Sequence, residues 1–165
     1  MSATVFHNVN ELKTYTDKRG EILVVTSGGF DPMHVGHLRC LLESSNFARN
    51  VGVGIKFAVI VNGDGFLLRK KGFAFMPENE RIEIISYVCG VDYVVPWDDG
   101  SQTVTGAIEI LQPFAFTKGG DRDAAANVPE FDLCEKIGTT VLFGVGGGKI
   151  QSSSDLVKAA KQVTK

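Results

Sequence analysis

Little in this 165-residue chain points toward a membrane, an oxidising compartment or a nucleic acid. Its three cysteines, Cys40, Cys89 and Cys134, are odd in number and far apart. That excludes a disulfide framework and leaves no Cys-x-x-Cys metal or redox motif, so reduced, mostly buried thiols are expected. No apolar run approaches the ~20 residues of a membrane span, and the first residues carry no signal-peptide pattern. A cytoplasmic location is the expectation. Basic excess is missing as well: 17 Lys and Arg stand against 19 Asp and Glu, for a net charge of −2. A dedicated nucleic-acid binder would carry more positive charge, although a local basic patch for a small anion remains open. Repeats and low-complexity linkers are absent. Histidine is scarce, with three in the chain, yet two of them stand three residues apart.

What is present is an alternation of apolar runs and helical patterns. Short runs rich in Val, Ile and Phe predict strands at Ile22–Thr26, Lys56–Val61, Asp92–Val95, Pro113–Thr117 and Thr140–Phe143. Between them the spacing predicts helices at Val35–Arg49, Pro77–Cys89, Gln102–Leu111 and Val128–Ile137, with a last one at Ser153–Gln162. Gly90 and Gly138 are expected helix stops. A further helix, Val9–Lys18, lies in an N-terminal extension over residues 1–20. The expected fold is α/β: a Rossmann-like three-layer α/β/α arrangement with a five-stranded parallel sheet, in one domain over residues 1–165. Such sheets bind ligands at the carboxyl ends of their strands, near the reversal of strand order.

The carboxyl end of the first expected strand carries Gly28-Gly29-Phe30-Asp31-Pro32-Met33-His34-Val35-Gly36-His37. If a helix begins near Val35, His34 and His37 project from one side of its first turn. That turn offers unpaired N–H groups and a positive dipole end to a phosphate. Gly36 lets a ligand approach the backbone between the two imidazoles. The bland alternative makes His34 a turn residue and His37 a helix-face residue. A metal site has little support, since no Cys or carboxylate stands at ligand spacing nearby.

This stretch resembles the signature of the cytidylyltransferase-like nucleotidyltransferases, Gly-x-Phe-Asp-x-x-His-x-Gly-His. The resemblance covers nearly all of the chain. It is closest to the adenylyltransferase domain of ADP-heptose synthesis enzymes, through Lys18-Arg19-Gly20-Glu21, Val24 to Gly28 and Asp92-Tyr93-Val94-Val95-Pro96. Glycerol-3-phosphate cytidylyltransferase is a further relative. The resemblance implies transfer of a nucleotidyl group from a nucleoside triphosphate to a phosphorylated acceptor, with release of pyrophosphate. His34 and His37 would donate hydrogen bonds to the α/β-phosphate region, and Gly28, Gly29, Phe30, Asp31 and Gly36 would shape the nucleotide site.

Three more stretches match family motifs, each with an ordinary alternative. Lys149-Ile150-Gln151-Ser152-Ser153-Ser154 follows a glycine run, and Ser152 with Asp155 fits a helix capping box. In the family, this second signature holds the β- and γ-phosphates through Ser152, Ser153 and Ser154. Gln151 replaces an aliphatic residue there, and Asp155 stands where many relatives carry a cation. Asn62-Gly63-Asp64, then Arg69-Lys70-Lys71-Gly72, is a solvated basic loop in the bland reading. The resemblance makes Lys70 or Lys71 a phosphate contact, and assigns Asp64 and Arg81 to the acceptor. Arg81 taken alone is an exposed helix residue. Thr117-Lys118-Gly119-Gly120-Asp121-Arg122 is a turn after a strand, or, by resemblance, a nucleotide pocket at Gly120 and Asp121 with Arg122 near the acceptor. The run Gly144 to Gly148 follows the last strand and lacks dinucleotide spacing.

No covalent intermediate is needed, so the protein's expected work is positioning and charge stabilisation. Mg²⁺ would accompany the triphosphate, bridging phosphate oxygens without an all-protein cage. A sugar or polyol phosphate is the expected acceptor, while CTP and ATP both remain open. Subunit number also remains open, dimers being common in such families. The alternative function is a catalytically weak nucleotide-binding or regulatory module of the same fold. A class I aminoacyl-tRNA synthetase fragment shares His-x-Gly-His, but short length and acidic balance oppose it.

Overall fold

The computed structural model describes residues 1–120 and 128–163. Six parallel strands form one sheet: β1 (Thr4–Val5), β2 (Ile22–Gly28), β3 (Ile55–Asn62), β4 (Tyr93–Trp97), β5 (Ala115–Gly119) and β6 (Thr140–Val145). Their spatial order is β1-β4-β3-β2-β5-β6. Seven helices accompany them among the described residues: α1 (Val9–Arg19), α2 (Val35–Val51), α3 (Asp64–Lys71), α4 (Glu78–Ser86), α5 (Thr105–Leu111), α6 (Phe131–Ile137) and α7 (Ser153–Val163).

Strand alternation builds two cores. Leu23, Val25, Ala58, Ile60, Val95 and Phe116 face one side, where Leu12 of α1, Phe66 of α3 and Ile108 of α5 cover them. Val24, Phe57, Val59, Val61, Val94 and Ala115 face the other, against Leu41 and Ala48 of α2 and Ile85 of α4. Continuous apolar strands with both faces covered give the expected three layers.

The expected sheet has five strands and the observed one has six. The addition is the two-residue edge strand β1, which pairs Thr4 with Tyr93 and Val5 with Val94. A two-residue segment carries no periodicity to read. The lead-in helix α1 is not an appendage, because Val9 and Leu12 are buried in the first core. Asn8 caps its start, accepting the Glu11 N–H, and Gly20 ends it in the left-handed region at φ 64°. The Asp64–Lys71 stretch is helical rather than a basic loop. Asp64 stands at its positive end, Arg69, Lys70 and Lys71 at its negative end, and Gly72 terminates it at φ 83°. Helix α4 stops at Ser86, capped by Tyr87, so Gly90 is not its stop. Helices α5 and α6 begin three residues later than their expected starts.

The strand order decides where the site lies. From β2 the chain crosses through α2 to β3 on one side, while β5 pairs with β2 on the other. Connections leaving β2 and β5 therefore diverge and open a crevice at the carboxyl edge of the sheet.

Candidate active site

The turn after β2 is built around Phe30. This residue has φ 52°, uncommon for a bulky side chain, and is 6% exposed. The ring packs beneath Gly28, where an added Cβ would lie 3.0 Å from its Cζ. A Cβ at Gly29 would meet Leu67 Cδ2 at 2.8 Å. Both glycines are therefore needed to close the turn over α3. Asp31 locks it from behind. Its buried carboxylate accepts the backbone N–H groups of Phe75 and Met76, each at 2.6 Å. The Lys71 ammonium donates to the Asp31 carbonyl at 2.9 Å and lies 3.5 Å from its carboxylate.

His34 is the N-cap of α2 and its Nδ1 accepts the Gly36 N–H at 3.1 Å. His37 reaches back, and its Nδ1 accepts the His34 N–H at 3.3 Å. The rings stack with centroids 3.8 Å apart, and the Phe30 ring meets His37 edge-on at 5.2 Å. A ring nitrogen that accepts an N–H carries no proton, so each neutral imidazole presents Nε2–H as its donor. Burial, the neighbouring His34 and the Lys71 charge push His37 down to about 4, and burial also lowers His34. Helix capping thus occupies Nδ1 of both rings and leaves Nε2 of both over.

The second signature docks against the first. Ser153 Oγ donates to the Pro32 carbonyl at 2.7 Å. Ser152 caps α7, its Oγ accepting the Asp155 N–H at 3.4 Å. Upstream, Gly146 presses on α2: a Cβ there would lie 2.6 Å from the Cys40 backbone nitrogen. Its N–H donates to Glu43 Oε2 at 2.6 Å.

These elements enclose a cavity of about 430 Å³ over the sheet edge between β2 and β5. Gly28, Gly29, Phe30, His34, Gly36 and His37 form one wall, and Ser152 and Ser153 with the Gly146–Gly148 backbone form another. Lys70 and Gly120 also line it. Of the other expected site residues that are described, Asp31, Asp64, Lys71, Arg81 and Ser154 are not on its walls. Lys71 and Asp31 hold each other behind the turn. Lys149 and Gln151 reach the cavity, whereas Ser154 and Asp155 do not line it.

Arg81 is neither an exposed helix residue nor a cavity group. It is fully buried. Its Nε donates to the Met76 carbonyl at 3.0 Å, and its Nη1 to the Gly29 and Asn62 carbonyls at 2.9 and 2.6 Å. Its Nη2 pairs with Asp64 at 2.7 Å. One guanidinium fork thus ties the ends of β2 and β3 together. Asp64 is engaged in the same clamp and is not on the cavity wall. Asp121 and Arg122 lie outside the described residues.

The structure adds cavity residues that motif reading did not single out: Asn62, Gln102, Lys118 and Glu130. Lys118 Nζ donates to Ser27 Oγ at 3.0 Å. Of these, Asn62 stood inside the Asn62-Gly63-Asp64 stretch and Lys118 inside the Thr117–Arg122 motif. Glu130 is separated from that motif along the chain, and no local pattern signals it.

Residues 25–142 match the family model described as cytidylyltransferase-like. The bifunctional protein HldE of Geotalea uraniireducens is 38% identical over 105 residues, 62% of this chain and 20% of that protein. The bifunctional protein HldE of Syntrophotalea carbinolica is 32% identical over 126 residues, 75% of this chain and 24% of that protein. The chain thus spans about a fifth to a quarter of the length of these relatives. Among solved structures, the lipopolysaccharide core biosynthesis protein from Thermoplasma volcanium superposes with a TM-score of 0.56 at 26% identity, covering 79% of this chain and 97% of that one. The matched region runs from the heart of β2 into β6 and so takes in the paired histidines and the first wall of the crevice; this chain belongs to the cytidylyltransferase-like family of nucleotidyltransferases.

Proposed function

We propose that this protein transfers CMP or AMP from the triphosphate to the phosphate of a sugar or polyol phosphate, releasing pyrophosphate. One observation carries the reading: both histidines line the cavity, and both spend Nδ1 on the helix start, which leaves Nε2–H over. Paired neutral donors on the wall of this cavity suit oxygens on which charge builds during displacement.

An acceptor phosphate oxygen attacks the α-phosphorus in line as the bond to pyrophosphate breaks. His34 and His37 hydrogen-bond the α/β oxygens without needing to be protonated. Lys70 and Lys149, on the cavity wall, offset phosphate charge. The start of α7, with Ser152 and Ser153, receives the leaving pyrophosphate through backbone N–H groups and hydroxyls. Lys71, held on Asp31, supports the turn instead of the phosphates. Mg²⁺ would come with the triphosphate and withdraw charge from its oxygens. Among the described residues no group of three or more His, Cys, Asp and Glu is placed to hold a metal.

The test is pyrophosphate release measured with CTP, ATP, GTP and UTP against a panel of sugar and polyol phosphates. Release with CTP or ATP and one acceptor class is expected. Tight triphosphate binding with no release under any pairing would instead establish a nucleotide-binding regulatory module.

A further inference from the structure

Two buried polar atoms lack a hydrogen-bond partner among the described residues: Asn62 Oδ1 and Glu130 Oε2. Both residues line the same cavity, at 6% and 3% exposure. Buried polar groups are nearly always paired, and a solitary carboxylate oxygen is the costlier exception. Neither residue is loosely held. Glu130 Oε1 accepts the Val104 N–H at 3.0 Å, where α5 begins. The Asn62 carbonyl takes the Arg81 Nη1 donor at 2.6 Å. Glu130 is thus anchored through one carboxylate oxygen and Asn62 through its backbone carbonyl, while one side-chain oxygen of each is left over.

Their position separates them from the paired histidines. The histidines and Gly36 belong to α2, which covers one face of the sheet. Glu130 joins the start of α5 to the start of α6, and Phe66 and Val104 beside it in the cavity belong to the opposite core. A carboxylate repels phosphate, so this end suits the part of a substrate that carries hydrogen-bond donors and no charge.

We infer that Glu130, with Asn62, reads hydroxyl groups of the acceptor, and that this pair sets preference for a polyhydroxylated phosphate over a deoxygenated one. The inference rests on nucleotidyl transfer to a phosphorylated acceptor. Hydroxyl hydrogens satisfy both leftover oxygens, and an acceptor lacking the hydroxyl leaves them buried and unpaired. Sites built in this way reject the deoxy analogue far more strongly than an apolar pocket rejects an extra methylene. Arg81 is a positioning residue here, since it holds the Asn62 backbone.

The experiment compares wild type with Glu130→Gln, which keeps a carbonyl for the Val104 N–H. Binding of glycerol 3-phosphate and of 3-hydroxypropyl phosphate, and of glucose 1-phosphate and its 2-deoxy form, is measured by calorimetry with and without CTP or ATP. Wild type is expected to favour at least one hydroxylated member of a pair by roughly tenfold to hundredfold, and Glu130→Gln to lose that preference. Triphosphate affinity stays within about twofold of wild type in Glu130→Gln. Equal preference in both proteins, an equal loss of triphosphate affinity, or no binding of any hydroxylated phosphate by wild type overturns the inference. Hydroxyl-dependent binding without pyrophosphate release would sustain the subsite while defeating nucleotidyl transfer.

Discussion

His37 Nδ1 accepts the His34 backbone N–H at 3.3 Å while the two rings stack 3.8 Å apart. The pair is therefore a helix cap and a donor array at once, and its chemistry depends on both imidazoles being neutral.

Acid should break this arrangement. His37 is lowered from 6.5 to about 4, so the folded state favours its neutral form. The resulting stabilisation is fully present above pH 6.5 and is lost as pH falls toward 4, amounting to at most about 3 kcal/mol. Imidazole nitrogen shifts in NMR should show Nε2–H tautomers at neutral pH and a His37 midpoint near 4. Urea midpoints should fall across the same window, and less steeply in His37→Ala. A His37 midpoint near 6.5 contradicts the cap.

His37→Ala should retain the fold, lose about 1 kcal/mol from the helix start and lower turnover roughly 100–1000-fold. Steady-state pyrophosphate release, together with circular dichroism, checks this. Wild-type turnover by the folded variant removes His37 from the mechanism.

The adjacent lysines should separate. Lys70→Ala is expected to weaken triphosphate use by at least tenfold with little change in melting temperature. Lys71→Ala removes the donor to Asp31 and should cost roughly 1–3 kcal/mol of stability. Paired kinetic and urea measurements distinguish them, and the reverse pattern would exchange their roles.

Arg81→Met leaves the Gly29, Asn62 and Met76 carbonyls without their donors, and should destabilise by about 3 kcal/mol or more. Chemical denaturation measures it. A loss of activity with unchanged stability would make Arg81 an acceptor contact after all.

Two glycines in one loop offer a steric contrast. Gly146 and Gly147 have φ of 85° and 87°, but only at Gly146 would a Cβ strike backbone, that of Cys40. Gly147→Ala should cost about 1 kcal/mol, and Gly146→Ala roughly 1–3 kcal/mol beyond that. Triphosphate affinity should fall only in the second, because the loop that lines the cavity has to move.

Chelation should stop turnover and leave the melting temperature unchanged, since the metal would arrive with the triphosphate. A melting temperature lowered by EDTA would reveal a protein-held ion.

Much of the crevice was legible from local pattern. Period and composition marked β2 to β6, and Gly28 to His37 marked the crossover beside them. The gaps have physical causes. Successive residues on a helix point about 100° apart, so Lys70 and Lys71 part company only once Phe66 and Leu67 fix how α3 is rolled. Arg81 reads as surface because a charge on a helix usually is. Its burial depends on carbonyls that Gly29 and Asn62 present from two strands.

Residue order alone settled strands β2 to β6, every helix but α3 in outline, the glycine turn ahead of Phe30, and the spacing that brings His34 and His37 onto one helix start. These are short-range properties, decided by sterics and hydrogen bonds within a few residues. The tertiary structure decided which strands flank β2, that Ser153 reaches Pro32 across 121 residues, and that Glu130 and Asn62 share one cavity. Those outcomes follow from how whole apolar faces pack, and no local stretch contains them.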